Sequence, residues 1–154
     1  MTHPTRAALE PIAWVSHASL EVLTGYLMKR AFNVIHADLV ITLETFGLRT
    51  ITFSALVMVV DNPGITQTQL AQGLCIERSN LVVVVDELET NDLIARNPMP
   101  SDRRAYALTA TPAGQLLRDR VLAAVHGHEA RALAMLTAEE RAVLNRLLRR
   151  IEGA

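Results

Sequence analysis

A single cysteine, Cys75, stands in 154 residues, which excludes an intrachain disulfide and any zinc site built from several cysteines. A buried or unreactive thiol is the expectation for it. Aromatics are scarce, with one Trp, two Tyr and three Phe, so the core must be built from aliphatic side chains. Half of the chain is apolar, enough for a sizeable core. No apolar run reaches the roughly 18 residues of a membrane span. "ITFSALVMVV" stops at Asp61-Asn62-Pro63-Gly64. The N-terminus has no basic stretch leading into an apolar one, which argues against a secretory leader and for a cytoplasmic protein. A net charge of −1 provides no general attraction to a polyanion. Lys29 is the only lysine among 15 basic residues. Arginine suits planar, bidentate contacts to phosphates and guanines, although genome composition produces the same bias. Local arrangement has to decide.

From about Ser19 to Thr45 there is no proline, and Leu23, Leu27, Phe32, Ile35 and Leu39 recur at helical intervals, which predicts one long amphipathic helix ending near Gly47. Phe53, Leu56, Val57 and Val60 predict a second helix over roughly 52–60, ended by "DNPG". Thr66, followed three residues later by Gln69, has the form of a capping box and opens a third. "LIARN" (93–97) and "RAYALTA" (104–110) read as two strands of a hairpin around "PMPSD". Thr111-Pro112 supplies an N-cap and an N1 proline for a fifth helix of about twenty residues. Thr137-Ala138-Glu139-Glu140 caps a last helix whose Val143, Leu144, Leu147, Leu148 and Ile151 form one apolar stripe.

Between the third helix and the hairpin lies "SNLVVVVDELE", residues 79–89. Its valines suggest a strand, but "DELE" does not continue one. Wound at about 100° per residue, Leu81, Val84, Val85 and Leu88 share one face, and Ser79, Val82, Val83 and Asp86 share the other. Four valines cost a helix about 2 kcal/mol in intrinsic propensity. Burying three or four aliphatic side chains returns ~1.5–3 kcal/mol each. A helix is expected. Val82 and Val83 then point away from the core, either against a neighbouring element, into solvent, or toward thymine methyl groups in a major groove.

A capped short helix, a tight turn, a second helix and a β-hairpin in that order make a winged helix-turn-helix, whose second helix enters the major groove while the hairpin reaches adjacent backbone or minor groove. The sequence here resembles the MarR family of bacterial transcription regulators. The resemblance is carried by "FGLRTITFSALVMVVDNPGITQTQLAQGL", "IERSNLVVVVDELETNDLIAR" and "SDRRAYALTATPAG", with looser similarity over nearly the whole chain. The wing segment, Asp-x-Arg followed by a strand and Thr-Pro-x-Gly, is its most specific part. Cys75 and Asp92 depart from it, each standing where the family usually has glycine. The fold so implied is mainly α with a small β-hairpin wing: a dimerisation helix over 1–48, a winged helix-turn-helix over 49–111, and two further dimerisation helices over 112–154. The resemblance implies a homodimer on a pseudo-palindromic double-stranded DNA operator, with half-sites about one helical turn apart.

In that setting Arg78, Ser79 and Asn80 stand at the entrance of the recognition helix. Arg78 suits guanine and Asn80 adenine, with N-terminal capping as the alternative. Val82 and Val83 fall to base contact. Thr66, Gln67 and Thr68 lie at a helix N-terminus suited to a phosphate, although capping alone also accounts for Thr66. In the wing, Arg104 matches the family arginine that enters the minor groove, Asp102 the acid that orients it, and Arg103 is expected on phosphate. Arg96 reaches phosphate or has no role. Family members often bind small aromatic acids or acyl compounds in a cleft beside the dimerisation helices, and Trp14, His17, Tyr26, His36 and Arg49 come from the segments expected to line it. "HGHE" (126–129) invites a metal reading, but residues two apart on a helix face different ways, so a solvated helix surface is expected. With no nucleophile–base pair, phosphate loop or carboxylate pair in view, no enzyme, metal or cofactor is expected. A rival reading makes the winged helix a protein-docking module with the valines as its apolar patch.

Overall fold

The computed structural model describes residues 15–99 and 102–153, and the side chains of all of these except 99 and 102–105. Trp14 and the side chains of Asp102, Arg103 and Arg104 therefore lie outside the described residues. The elements run α1 (Ala18–Glu21), α2 (Thr24–Glu44), α3 (Thr50–Asp61), β1 (Ile65–Thr66), α4 (Gln67–Gly73), α5 (Arg78–Thr90), β2 (Ile94–Met99), β3 (Asp102–Ala110), α6 (Pro112–Ala132) and α7 (Ala138–Glu152).

The long helix expected from 19 to 45 is two helices. The break falls at Leu23, which takes an extended backbone and caps α2. β-branched Val22 and Thr24 and the adjoining Gly25 all disfavour a helix interior, so continuity there has little local support. Side chains hold the two pieces together: the Tyr26 hydroxyl meets Nδ1 of His17 at 2.7 Å.

The valine run is helical, within α5. Leu81, Val84, Val85 and Leu88 are buried, and pack with Leu56, Val59, Leu70, Ile94 and Leu108 into one aliphatic core between α3, α4, α5 and the sheet. A second cluster of Leu43, Leu48 and Val121 joins α2 to α6, and Leu117 touches both clusters. The sheet is antiparallel in the order β1-β3-β2. Leu108 of the central strand faces Ile65 on one side and Arg96 on the other. The two-residue β1 was not foreseen; Ile65-Thr66 is too short for a periodic signal and exists by pairing with β3. Pro98 sits in β2, an edge strand, where its missing N–H leaves no gap in the ladder.

Three foreseen caps are present. Thr66 Oγ1 accepts from the Gln69 amide at 3.2 Å while Gln69 Oε1 accepts from the Thr66 amide at 2.9 Å. Thr137 and Glu140 make the same reciprocal pair. Thr111 Oγ1 accepts from the Gly114 amide at 3.0 Å and donates to the Asp92 carbonyl at 2.6 Å, tying the end of the wing to α6.

Within "HGHE", His126 and Glu129 are exposed as expected, but His128 is not on a solvated surface. His128 is 1% exposed, and its Nδ1 meets Asp38 Oδ2 at 2.7 Å across the α2–α6 contact. The partner lies 90 residues away, out of reach of any local pattern. Among the described residues, no group of three or more potential ligands is placed to hold a metal. Among the described residues, no helix is long and apolar enough to cross a membrane.

Candidate nucleic-acid interface

Burying Leu81, Val84, Val85 and Leu88 fixes the rotation of α5 and turns its other face outward. Arg78, Ser79 and Asn80 are exposed in its first turn. Val82 and Val83 follow at 41% and 62% exposure. Glu77 caps the helix by backbone alone, so its side chain takes none of the first-turn amides. That end of α5 suits an anion through its dipole and free N–H groups.

Neighbouring elements extend the surface. Thr68 of α4 and Arg78 border one shallow depression together with Gln72, Cys75 and Glu77. Gln67 and Val82 border a second with Arg96 and Tyr106. Candidates from two helices are thus brought into two adjacent patches. Thr66 is set apart, because its hydroxyl is engaged in the capping box. Tyr106 was missed in the sequence. By strand alternation it shares a face with buried Leu108, yet it stands past the end of the core and is exposed.

The turn before α5 bends at Cys75, with φ of +53°, and the turn into the wing bends at Asp92, with φ of +55°. Both non-glycine residues occupy the left-handed region that glycine enters without penalty. Of the two expectations for Cys75, buried or unreactive, the first does not hold: the thiol is exposed.

Acids follow the valines on α5: Asp86, Glu87 and Glu89. Left free, they would repel phosphates. Each is engaged. Arg96 of β2 donates to Glu89 Oε2 at 2.6 Å and also to Asp86 Oδ1. Arg96, open in the sequence between phosphate contact and no role, instead ties the wing to α5. Arg49, at the N-cap of α3, pairs with Glu87.

The effector candidates separate into two groups. His17 and Tyr26 are in contact, and Arg30 donates to the Tyr26 hydroxyl at 3.4 Å, an interaction that favours the charged guanidinium and raises its pKa. His36 stacks on Phe32 at 5.0 Å between ring centroids, and its Nε2 meets the Thr50 hydroxyl at 3.3 Å, beside Arg49. Ten residues of helix, about 15 Å, separate Tyr26 from His36. Among the described residues, His17 and Tyr26 thus stand apart from His36 and Arg49.

Comparison with known proteins finds the same arrangement. The MarR family model matches residues 52–106, from α3 into β3. A transcriptional regulatory protein assigned to the hcr operon of Thauera aromatica is 31% identical over 150 residues, which is 97% of this chain and 90% of that protein. The chain belongs to the MarR family. Among solved MarR-like structures, the transcriptional repressor CouR bound to a 23-mer DNA duplex superposes with a TM-score of 0.85 at 33% identity, covering 90% of this chain and 98% of that one. Rv2887, a MarR family protein of Mycobacterium tuberculosis solved with salicylic acid, superposes with a TM-score of 0.68 at 30% identity, covering 83% and 95%. In this MarR family chain, α4 and α5 are the helix-turn-helix, and β2 and β3 are the wing.

Proposed function

We propose that the protein is a homodimeric transcriptional repressor that binds a pseudo-palindromic operator and is released from it by a small aromatic acid or acyl-type effector. The observation that carries this reading is the two-sided α5, with a buried aliphatic stripe on one face and Arg78, Ser79, Asn80, Val82 and Val83 outward on the other. Arg78 and Asn80 read base edges, the valines meet thymine methyl groups, and Gln67, Thr68 and Ser79 approach phosphates. In the wing, Arg104 enters the minor groove oriented by Asp102, and Arg103 meets phosphate. Thr66 serves by capping α4. Residues 49–111 form the DNA-binding unit, with 1–48 and 112–154 given to dimerisation. Support for the pairing of subunits comes from α7, which buries none of its residues within the chain and presents Val143, Leu144, Leu147, Leu148 and Ile151 as an exposed apolar stripe. The likeness to CouR on DNA and to Rv2887 with salicylic acid supports both ligands. The site of action is the cytoplasm, on duplex DNA.

Release follows from linkage. An effector that prefers a dimer with mis-spaced recognition helices lowers operator affinity by its differential affinity for the two shapes, and by no more. The effector contacts come from Trp14, His17, Tyr26, His36 and Arg49. Fluorescence anisotropy with a duplex from upstream of the chain's own gene, against random duplex at equal salt, tests the function. Tighter binding to the former, falling steeply with salt as arginine–phosphate contacts release counterions, is the expected result. Arg104→Ala is expected to weaken it. Equal binding to both duplexes rejects the repressor reading and leaves the protein-docking module standing.

A further inference from the structure

The carboxylate of Glu87 is engaged at both oxygens from the start of α3. Oε2 accepts from Arg49, and Oε1 accepts from the Thr52 hydroxyl at 3.4 Å. Thr52 is 1% exposed, so its hydroxyl is cut off from bulk water and depends on an acceptor inside the protein. Between these two residues, Thr50 points the other way, to Nε2 of His36 on α2. The N-terminus of α3 therefore divides its side chains between α2 and the recognition helix.

We infer that Glu87 is a positioning residue, the joint through which the placement of α2 sets the tilt of α5 against DNA. The inference rests on the reading of α5 as the recognition helix. Arg49 is largely exposed, so its pairing with Glu87 contributes little to folding stability. Its consequence is geometric. Eight residues separate Glu87 from Ser79, about 12 Å of helix, so a tilt of roughly 10° about Glu87 moves the reading end by ~2 Å. Hydrogen bonds to base edges do not survive a shift of that size. Arg96 holds Asp86 and Glu89 from the wing, while the α3 grip on Glu87 continues through Thr50 to His36 of α2. A movement of α2 reaches the reading end of α5 through Thr50, Arg49 and Glu87.

The test uses the full-length protein, the own-promoter duplex and a random duplex over a salt series, with thermal melting alongside. Glu87→Gln and Arg49→Gln are each expected to lower own-promoter affinity about 5- to 20-fold, with the melting temperature, random-duplex affinity and salt slope unchanged. The double variant Arg49→Gln with Glu87→Gln, which keeps an acceptor for Thr52, is expected to lose no more affinity than either single variant. His36→Ala is expected to lower affinity in the parent but not in Glu87→Gln. Unchanged own-promoter binding in Glu87→Gln overturns the inference, as does a folded double variant whose losses add. So does an Arg49→Gln variant that loses both duplexes equally with a salt slope smaller by about one, because Arg49 is then a phosphate contact. A parent protein with no preference for its promoter fails earlier, at the function itself.

Discussion

At Cys75 and Asp92 the backbone enters the left-handed region without a glycine, the first in the turn before α5 and the second in the turn into the wing. For a side chain with a Cβ that conformation costs about 1–2 kcal/mol, less for Asp, whose short polar group bonds locally. Glycine removes the strain but gives back part of the gain through its freer unfolded chain. Cys75→Gly is therefore expected to raise stability by about 1 kcal/mol, and Asp92→Gly by less, read as the midpoint of urea unfolding at fixed protein concentration. A lower midpoint for Cys75→Gly contradicts this account of the turn. Gly114 is the opposite case. A Cβ there would stand 2.0 Å from the Leu93 carbonyl oxygen, which already accepts the Thr111 amide at 3.0 Å. Neither backbone group has room to move, so Gly114→Ala is expected to destabilise by ~2–3 kcal/mol in the same measurement. Unfolding at the parent midpoint would mean that α6 slides freely against the wing. The glycine of the Thr-Pro-x-Gly motif is legible in the sequence. Its cause, a carbonyl twenty-one positions upstream, is visible only once the wing is folded.

Within α5 the two faces separate stability from recognition, and adjacent valines provide the contrast. Val84 is 4% exposed in the core and Val83 is 62% exposed. Val84→Ala is expected to cost about 2 kcal/mol of stability. Val83→Ala is expected to leave the urea midpoint within ~0.5 kcal/mol while, on the proposed reading of Val83 as a thymine contact, lowering own-promoter affinity about fivefold or more. Equal midpoints for the two variants would mean that the helix is rotated from the described face. This element was legible because the core stripe repeats at helical spacing from Leu81 to Leu88. The break between α1 and α2 was not, since apolar residues continue at helical spacing across Val22-Leu23, and only the low propensity of Val22, Thr24 and Gly25 marks it. His128 was misread for another reason: its burial depends on Asp38, supplied by a helix packed from far along the chain. The same distance hides Glu87, whose partners Arg49 and Thr52 lie 38 and 35 residues away.

For the molecule as a whole, the apolar surface left open is concentrated on the terminal helices. α7 has Glu139 and Glu140 in its first turn, Arg149 and Arg150 in its last, and Gly153 in a left-handed cap, so each end is well formed. Yet it buries nothing within the chain. Leu27, Phe32 and Ile41 of α2 are also exposed. On the proposed dimer reading, a helix stabilised at its ends with an unburied leucine stripe gains its packing from another copy. Leu147→Glu combined with Ile151→Glu places two carboxylates on that stripe without touching the aliphatic core around Leu56, Leu81 and Leu108. The expected result is a monomer by sedimentation, with far-UV dichroism near that of the parent because the caps and core remain. A single recognition helix then meets a single half-site. The avidity of two linked contacts disappears, so own-promoter affinity is expected to fall by about 100-fold or more, with a salt slope near half that of the dimer. A double variant that stays dimeric and binds as the parent does would place the interface elsewhere, and α7 would need a different partner for its stripe.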